Sequence, residues 1–120
     1  MPMTAATTEA SMATSPSGTA ALFHALSEPS RLAILEHLFL GEHRGVDLVA
    51  HLGLAQSTVS QHLACLRDCG LVTSRAQGRS SHFSLTDPVR VRALLTEAAG
   101  LLAATGGAAA EHAAGHDERH

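Results

Sequence analysis

Cys65 and Cys69 are the two cysteines of a 120-residue sequence. They lie four residues apart in AQSTVSQHLACLRDCG, from Ala55 to Gly70. The apolar residues Val59, Leu63 and Leu66 recur there at helical spacing and predict one buried stripe. At roughly 100° per residue both thiols point away from that stripe, one turn above the other. A free cysteine is commonly a small core residue, and this placement argues against that role. As thiolates the pair can chelate one soft or borderline ion such as Cd(II), Pb(II), Zn(II) or Hg(II). A disulfide within one helix would staple nothing, so a reduced, cytosolic thiol pair is expected. Two sulfurs leave coordination incomplete. His112 and His116 repeat the four-residue spacing in the tail AAAEHAAGHDERH and can supply nitrogen. Tetrahedral S₂N₂ suits Zn(II) and Cd(II), whereas Pb(II) prefers a third thiolate. The expected order is Cd(II), then Zn(II) and Pb(II). Such a tail can equally be a weak metal binder or a solvated segment.

The first half of the same helix carries a different chemistry. Gln56, Ser57, Thr58, Ser60 and Gln61 occupy its opening turns. A glutamine amide matches the paired donor and acceptor of adenine, and short hydroxyls reach base edges or phosphate. Local capping is the alternative use of each hydroxyl. The net charge of −3 disguises a basic stretch. Between Gln56 and Arg92, Arg67, Arg75, Arg79, Arg90 and Arg92 face only Asp68 and Asp87. Attraction to phosphate follows the local field rather than the sum. Arg75 and Arg79 are the residues expected at phosphate or minor groove; Arg67 can instead be solvated or ion-paired.

The surrounding elements must position these side chains. Residues 1–18 are Ala, Thr, Ser, Met and Pro without periodicity and are expected to be disordered. They lack Lys, Arg and an apolar core, so they do not form a signal peptide. A first helix is expected over Thr19–Leu26, then a break capped by Ser27 with Pro29 in the next first turn. The second helix runs over Ser30–Leu40, with Leu32, Leu35, Leu38 and Phe39 inward, and a polar connection follows over Gly41–Gly45. Val46–Leu52 is a short third helix, and Gly53-Leu54 is the tight turn of a helix-turn-helix. Ala55 falls at the N-cap of the reading helix, a weak start costing about 1 kcal/mol at most. Alternating runs Leu71–Arg75 and Ser81–Leu85 flank a Gly-containing turn and predict a β-hairpin wing. Thr86-Asp87-Pro88 opens a last helix over Val89–Ala104. Its stripe of Val91, Leu94, Leu95, Ala98, Leu101 and Leu102 is too apolar for a solvated terminal helix. Packing against a copy of itself, with the first helix, in a two-fold dimer is expected. The residues predict a mainly α fold with a small wing, order α-α-α-α-β-β-α. The domain spans 19–104, with a flexible His-rich tail over 105–120.

With LSEPSRLAIL, DLVAHLGLAQSTVSQHLACLRDCGLV and GRSSHFSL in that order, the chain resembles the ArsR/SmtB family of dimeric winged-helix metal-sensing repressors over about residues 19 to 104. The resemblance implies repression of metal efflux or detoxification operons, with operator binding weakened by the inducing metal. Two family sites are missing. Arg44-Gly45-Val46-Asp47-Leu48 lacks the Cys-Val-Cys that precedes Asp-Leu in one. Val89 and the Gly100-Leu101 region lack the histidines of the other. CLRDCGLV is similar to the recognition-helix pair of the family's cadmium/lead sensor, whose third cysteine falls at Ala110 in this sequence. Glu111, His112 and His116 lie beside that position and are the candidates to complete the site.

No nucleophile elbow, phosphate loop or carboxylate pair supports an enzyme, and no organic substrate is expected. No stretch is long and apolar enough to span a membrane. The expectation is a cytoplasmic homodimer that binds double-stranded operator DNA and releases it on binding metal. The remaining readings are a thiol redox switch on the same fold and a metal-buffering module that has lost DNA control. His62 and His82 are expected to be scaffold residues. His24, His37, His43 and His51 look scattered and carry no assigned role.

Overall fold

The computed structural model describes residues 16–118 and divides after Thr86 into two compact units. The first opens with α1, Pro16–Leu26, three residues earlier than expected because Pro16 suits a first helical turn. The expectation of disorder over 1–18 therefore fails at 16–18, while residues 1–15 lie outside the described residues. Helix α2, Pro29–Leu38, is capped by Glu28, whose carboxylate accepts from the Arg31 amide at 3.0 Å. Ser27 was the expected cap. It instead donates its hydroxyl to the His24 carbonyl at 2.7 Å and closes α1. Ile34, Leu35 and Leu38 form the buried face of α2, and Leu32 and Phe39 are only half-buried.

The connection expected after α2 holds a two-residue strand, β1, His43–Arg44. It pairs antiparallel with the later strand through His43↔Phe83 and Arg44↔His82. Two residues carry no alternation for a sequence pattern to detect. Helix α3, Gly45–Leu52, follows, and Asp47 in its first turn accepts the Arg44 amide at 3.2 Å. The reading helix is α4, Gln56–Asp68. Ala55 is its N-cap and makes no side-chain capping bond, as the sequence predicts. Val59, Leu63 and Leu66 are its buried stripe, and with Ile34, Leu35 and Leu48 they make the core of this unit. Gly70, at φ 79, ends α4. Its amide donates to the Arg67 carbonyl and the Leu71 amide to the Leu66 carbonyl, both at 2.9 Å, a Schellman closure that needs a left-handed residue. The chain then enters β2, Val72–Gln77, and β3, Ser80–Leu85, in a sheet of order β1-β3-β2. Gln77 pairs with Ser80 across a two-residue turn whose first central residue is Gly78, at φ 62. Helix-turn-helix plus hairpin is the winged helix-turn-helix expected from the sequence.

The second unit holds α5, Pro88–Ala104, and α6, Ala108–Glu118. Asp87 caps α5 by accepting the Arg90 amide at 3.0 Å, ahead of Pro88. Along the expected stripe Val91 is buried, Leu94 and Leu95 are half-buried, and Ala98, Leu101 and Leu102 are exposed. The sequence expectation of a flexible tail differs from the helix found there. Five alanines between 108 and 114 explain it, since alanine is the strongest helix former. No single helix is long and apolar enough to cross a membrane among the described residues.

Candidate functional site

Helix α4 presents Gln56, Ser57, Ser60 and Gln61 exposed and Thr58 half-buried. None of these side chains has a hydrogen-bond partner among the described residues. The alternative use of the hydroxyls, local capping, is therefore not taken up. The opening turns hold five polar side chains whose bonding capacity is unspent, on a helix anchored from behind by Val59, Leu63 and Leu66.

The cysteines sit at the other end of α4. Cys65 is in the last turn, and Cys69 is the C-cap, one residue beyond the helix. Its amide still donates to the Cys65 carbonyl at 3.1 Å, so the helical spacing between the thiols persists. Both are free and half-buried rather than fully exposed as the helical phase suggested. At Cys69 the neighbouring element is α1. The Cys69 thiol donates to the Ala21 carbonyl on α1 at 3.8 Å. Arg31 binds the carbonyls of Ala25 (2.6 Å) and His24 (2.8 Å) at the end of α1. Burial pushes the Cys69 thiol above its ordinary value; Cys65 and Asp68 push the same way, and Arg31 opposes them. A raised thiol is the opposite of an activated redox cysteine.

The wing arginines differ from one another. Arg75 is bound to Glu42 at 2.6 and 3.4 Å and to the Gln77 side chain at 3.1 Å. This pairing holds the Glu42 carboxyl below the usual carboxylate range. Arg79 has no partner among the described residues, nor has Arg67 on the outer face of α4. Both line a cavity of about 370 Å³ between α4, the start of α3 and the wing, with Arg44, Gln56, Ser60 and Ser80 also on its wall and Val59 and Phe83 among its apolar side chains. Arg44 is spent on Asp47 at 3.1 Å. Arg67, which the sequence left between solvation and ion pairing, thus joins Arg79 as an available cation. Its place across the groove from the wing is set by the fold and has no local sequence signal.

His62 bridges α4 to Glu28 (3.4 Å) and Arg31 (3.4 Å), and His82 lies 3.4 Å from Glu42, so both are scaffold residues as expected. Glu111 and His112 are on α6, in the second unit, and His116 falls on the same helix. Among the described residues no group of three or more His, Cys, Asp or Glu side chains is arranged to hold a metal ion.

Residues 28–74 match the family model for bacterial regulatory proteins of the arsR family. The chain is 43% identical over 75 residues to a "Probable mercury resistance operon repressor" of Streptomyces lividans, covering 62% of this chain and 60% of that protein. It is 46% identical over 78 residues to the HTH-type transcriptional regulator CmtR of Mycobacterium tuberculosis, covering 65% of this chain and 66% of that one. The matched segment thus spans just under two thirds of these relatives. Among solved structures, HlyU from Vibrio cholerae is 31% identical with a TM-score of 0.61, over 68% of this chain and 91% of that one. A homodimeric winged helix-turn-helix DNA-binding domain from Mycobacterium bovis is 27% identical with a TM-score of 0.66, over 75% and 85%.

Proposed function

Because the chain belongs to the arsR family of bacterial regulatory proteins, we propose that it is a cytoplasmic, homodimeric repressor whose grip on operator DNA is released by a soft divalent metal at Cys65 and Cys69. The genes it controls are then metal efflux or detoxification genes. The observation that carries this reading is the division of α4. Its first turns hold unspent polar side chains, and its last turn and cap hold two adjacent thiols, one against the α1 backbone. In the dimer two α4 helices enter successive major grooves of an inverted repeat. Gln56, Ser57, Thr58, Ser60 and Gln61 face the bases, and Arg79 and Arg67 face phosphate. Arg75 reaches phosphate by exchanging Glu42 for DNA.

A metal on the thiols supplies a bond across the end of α4. Any shift of Cys69 is transmitted to α1, whose exposed Phe23 belongs to the proposed dimer face. The spacing of the two α4 helices then no longer fits the operator. A coupling of about 1–3 kcal/mol is ordinary for such a device, and DNA must weaken metal binding by the same factor. Cd(II) ranks first, then Zn(II) and Pb(II), with Glu111, His112 and His116 as candidate further ligands. A second reading of the metal rests on the pair itself, two free thiols one helical turn apart. Two thiolates alone satisfy Hg(II), and one relative is named as a mercury resistance repressor.

The test is operator binding by Cys65→Ser and Cys69→Ser proteins with and without Cd(II) and Hg(II). Both variants should bind the duplex as the parent does and stay bound when metal is added. Loss of DNA binding in both, without metal, would refute the separation of roles along α4.

A further inference from the structure

Three histidines that look scattered in sequence meet on the surface of the first unit. His37 is in the last turn of α2, His43 is on β1 and His51 is in the last turn of α3. Their ring centroids are 5.2 Å (His37–His51), 5.8 Å (His43–His51) and 6.1 Å (His37–His43) apart. Three imidazoles on one tetrahedral ion, each nitrogen at about 2.0–2.1 Å, bring their centroids to roughly 5–5.5 Å. We propose that His37, His43 and His51 form an all-imidazole site for a borderline divalent ion such as Zn(II), Ni(II) or Co(II), separate from the thiol pair.

The second observation is the state of His43. Its Nδ1 lies 2.8 Å from the Gly41 carbonyl. That contact is a hydrogen bond only with the proton on Nδ1, which leaves Nε2 as the lone-pair nitrogen. A backbone carbonyl that fixes the tautomer and orientation in this way is the usual companion of a metal-bound histidine. The backbone of His43 is also fixed by its pairing with Phe83. His37 and His51 are stacked at 17°, and in their present orientations the three rings do not make a metal-holding group. Closing the site takes rotation of these two rings about their own side-chain bonds. His51 is exposed and His37 half-buried, so both have room. The neighbouring cation, Arg44, is neutralised by Asp47 at 3.1 Å. Histidines stacked for packing alone have no need of a surface position or of a lone pair held on Nε2. Imidazole donors select the borderline ions, whereas the thiols select the softer ones.

The experiment is a Co(II) titration of the full chain, reduced, carrying Cys65→Ser and Cys69→Ser and with His112, His116 and His120 changed to Gln. The proposal expects one Co(II) per protomer, visible d–d bands and no sulfur-to-cobalt charge transfer. Zn(II) should displace it. His51→Gln in that background, an exposed change that leaves the core intact, should weaken binding at least tenfold, and His37→Gln likewise. Circular dichroism confirms that each variant is folded. No Co(II) bound by the parent of the series, or equal binding after all three histidines are replaced, would overturn the proposal.

Discussion

At the residue scale, function rests on which side chains the fold leaves unspent. Arg67 and Arg79 have no partner among the described residues, so Arg67→Ala and Arg79→Ala should each weaken duplex binding almost independently of sequence. Each should lower the slope of log affinity against log salt by about 1, measured by anisotropy at several salt concentrations. Arg75→Ala should cost less, because any contact of Arg75 with DNA has to displace its pairing with Glu42. That tether has its own pH dependence. The Glu42 carboxyl is held low by the Arg75 hydrogen bonds, so the pairing is complete above the ordinary carboxylate pKa. It is lost as pH falls through the lowered value. The Cys69 thiol runs the other way. The Cys69 value is raised, so the native protein favours the protonated thiol. Below both thiol pKa values, metal affinity should rise by up to about 100-fold per pH unit, because two protons leave on binding. Isothermal titration in buffers of different ionisation enthalpy counts those protons; a count of zero is incompatible with dithiolate binding. The cysteine pair and the polar face of α4 were legible in the sequence because their spacing is local. The Arg67 cation without a partner among the described residues, the Cys69 contact with Ala21 and the His37–His43–His51 group were not, since each depends on elements that meet only in the fold.

At the element scale, α4 is well ended and poorly begun. Ala55 makes no capping bond. Ala55→Ser should stabilise the protein by about 0.5–1 kcal/mol in urea unfolding, and an unchanged midpoint would mean that the first turn is satisfied otherwise. Gly70, at φ 79, closes the other end beside Cys69. Gly70→Ala forces a side chain into the left-handed region and should cost about 1–2 kcal/mol, with a displaced Cys69 and weaker metal binding as a second readout. Long periodic or capped elements were predicted to within a residue or two: α3, α4, the hairpin and α5. The misses have physical causes. β1 is too short to show a pattern, Glu28 outcompeted Ser27 as a cap because Ser27 had a carbonyl of α1 within reach, and the alanine-rich tail is a good helix former regardless of its histidines.

At the scale of the whole molecule, a single copy leaves large apolar side chains in water: Phe23 is 53% exposed and Leu101 66%. In the account proposed above these side chains are covered in the dimer. Phe23→Glu and Leu101→Glu should then shift sedimentation toward monomer and abolish cooperative binding to a two-half-site duplex, while leaving each chain folded. The whole-molecule claim, that thiol chemistry at one end of α4 governs DNA contact at the other, has one most direct test. Reduced protein is bound to a fluorescent duplex from its own promoter and titrated with Cd(II), while anisotropy and thiolate-to-metal ultraviolet absorption are read together. The account predicts that absorption saturates near one ion per protomer as anisotropy falls to that of free DNA. Absorption that saturates with the anisotropy unchanged would show that the cysteines hold metal without controlling the repressor, and would contradict it.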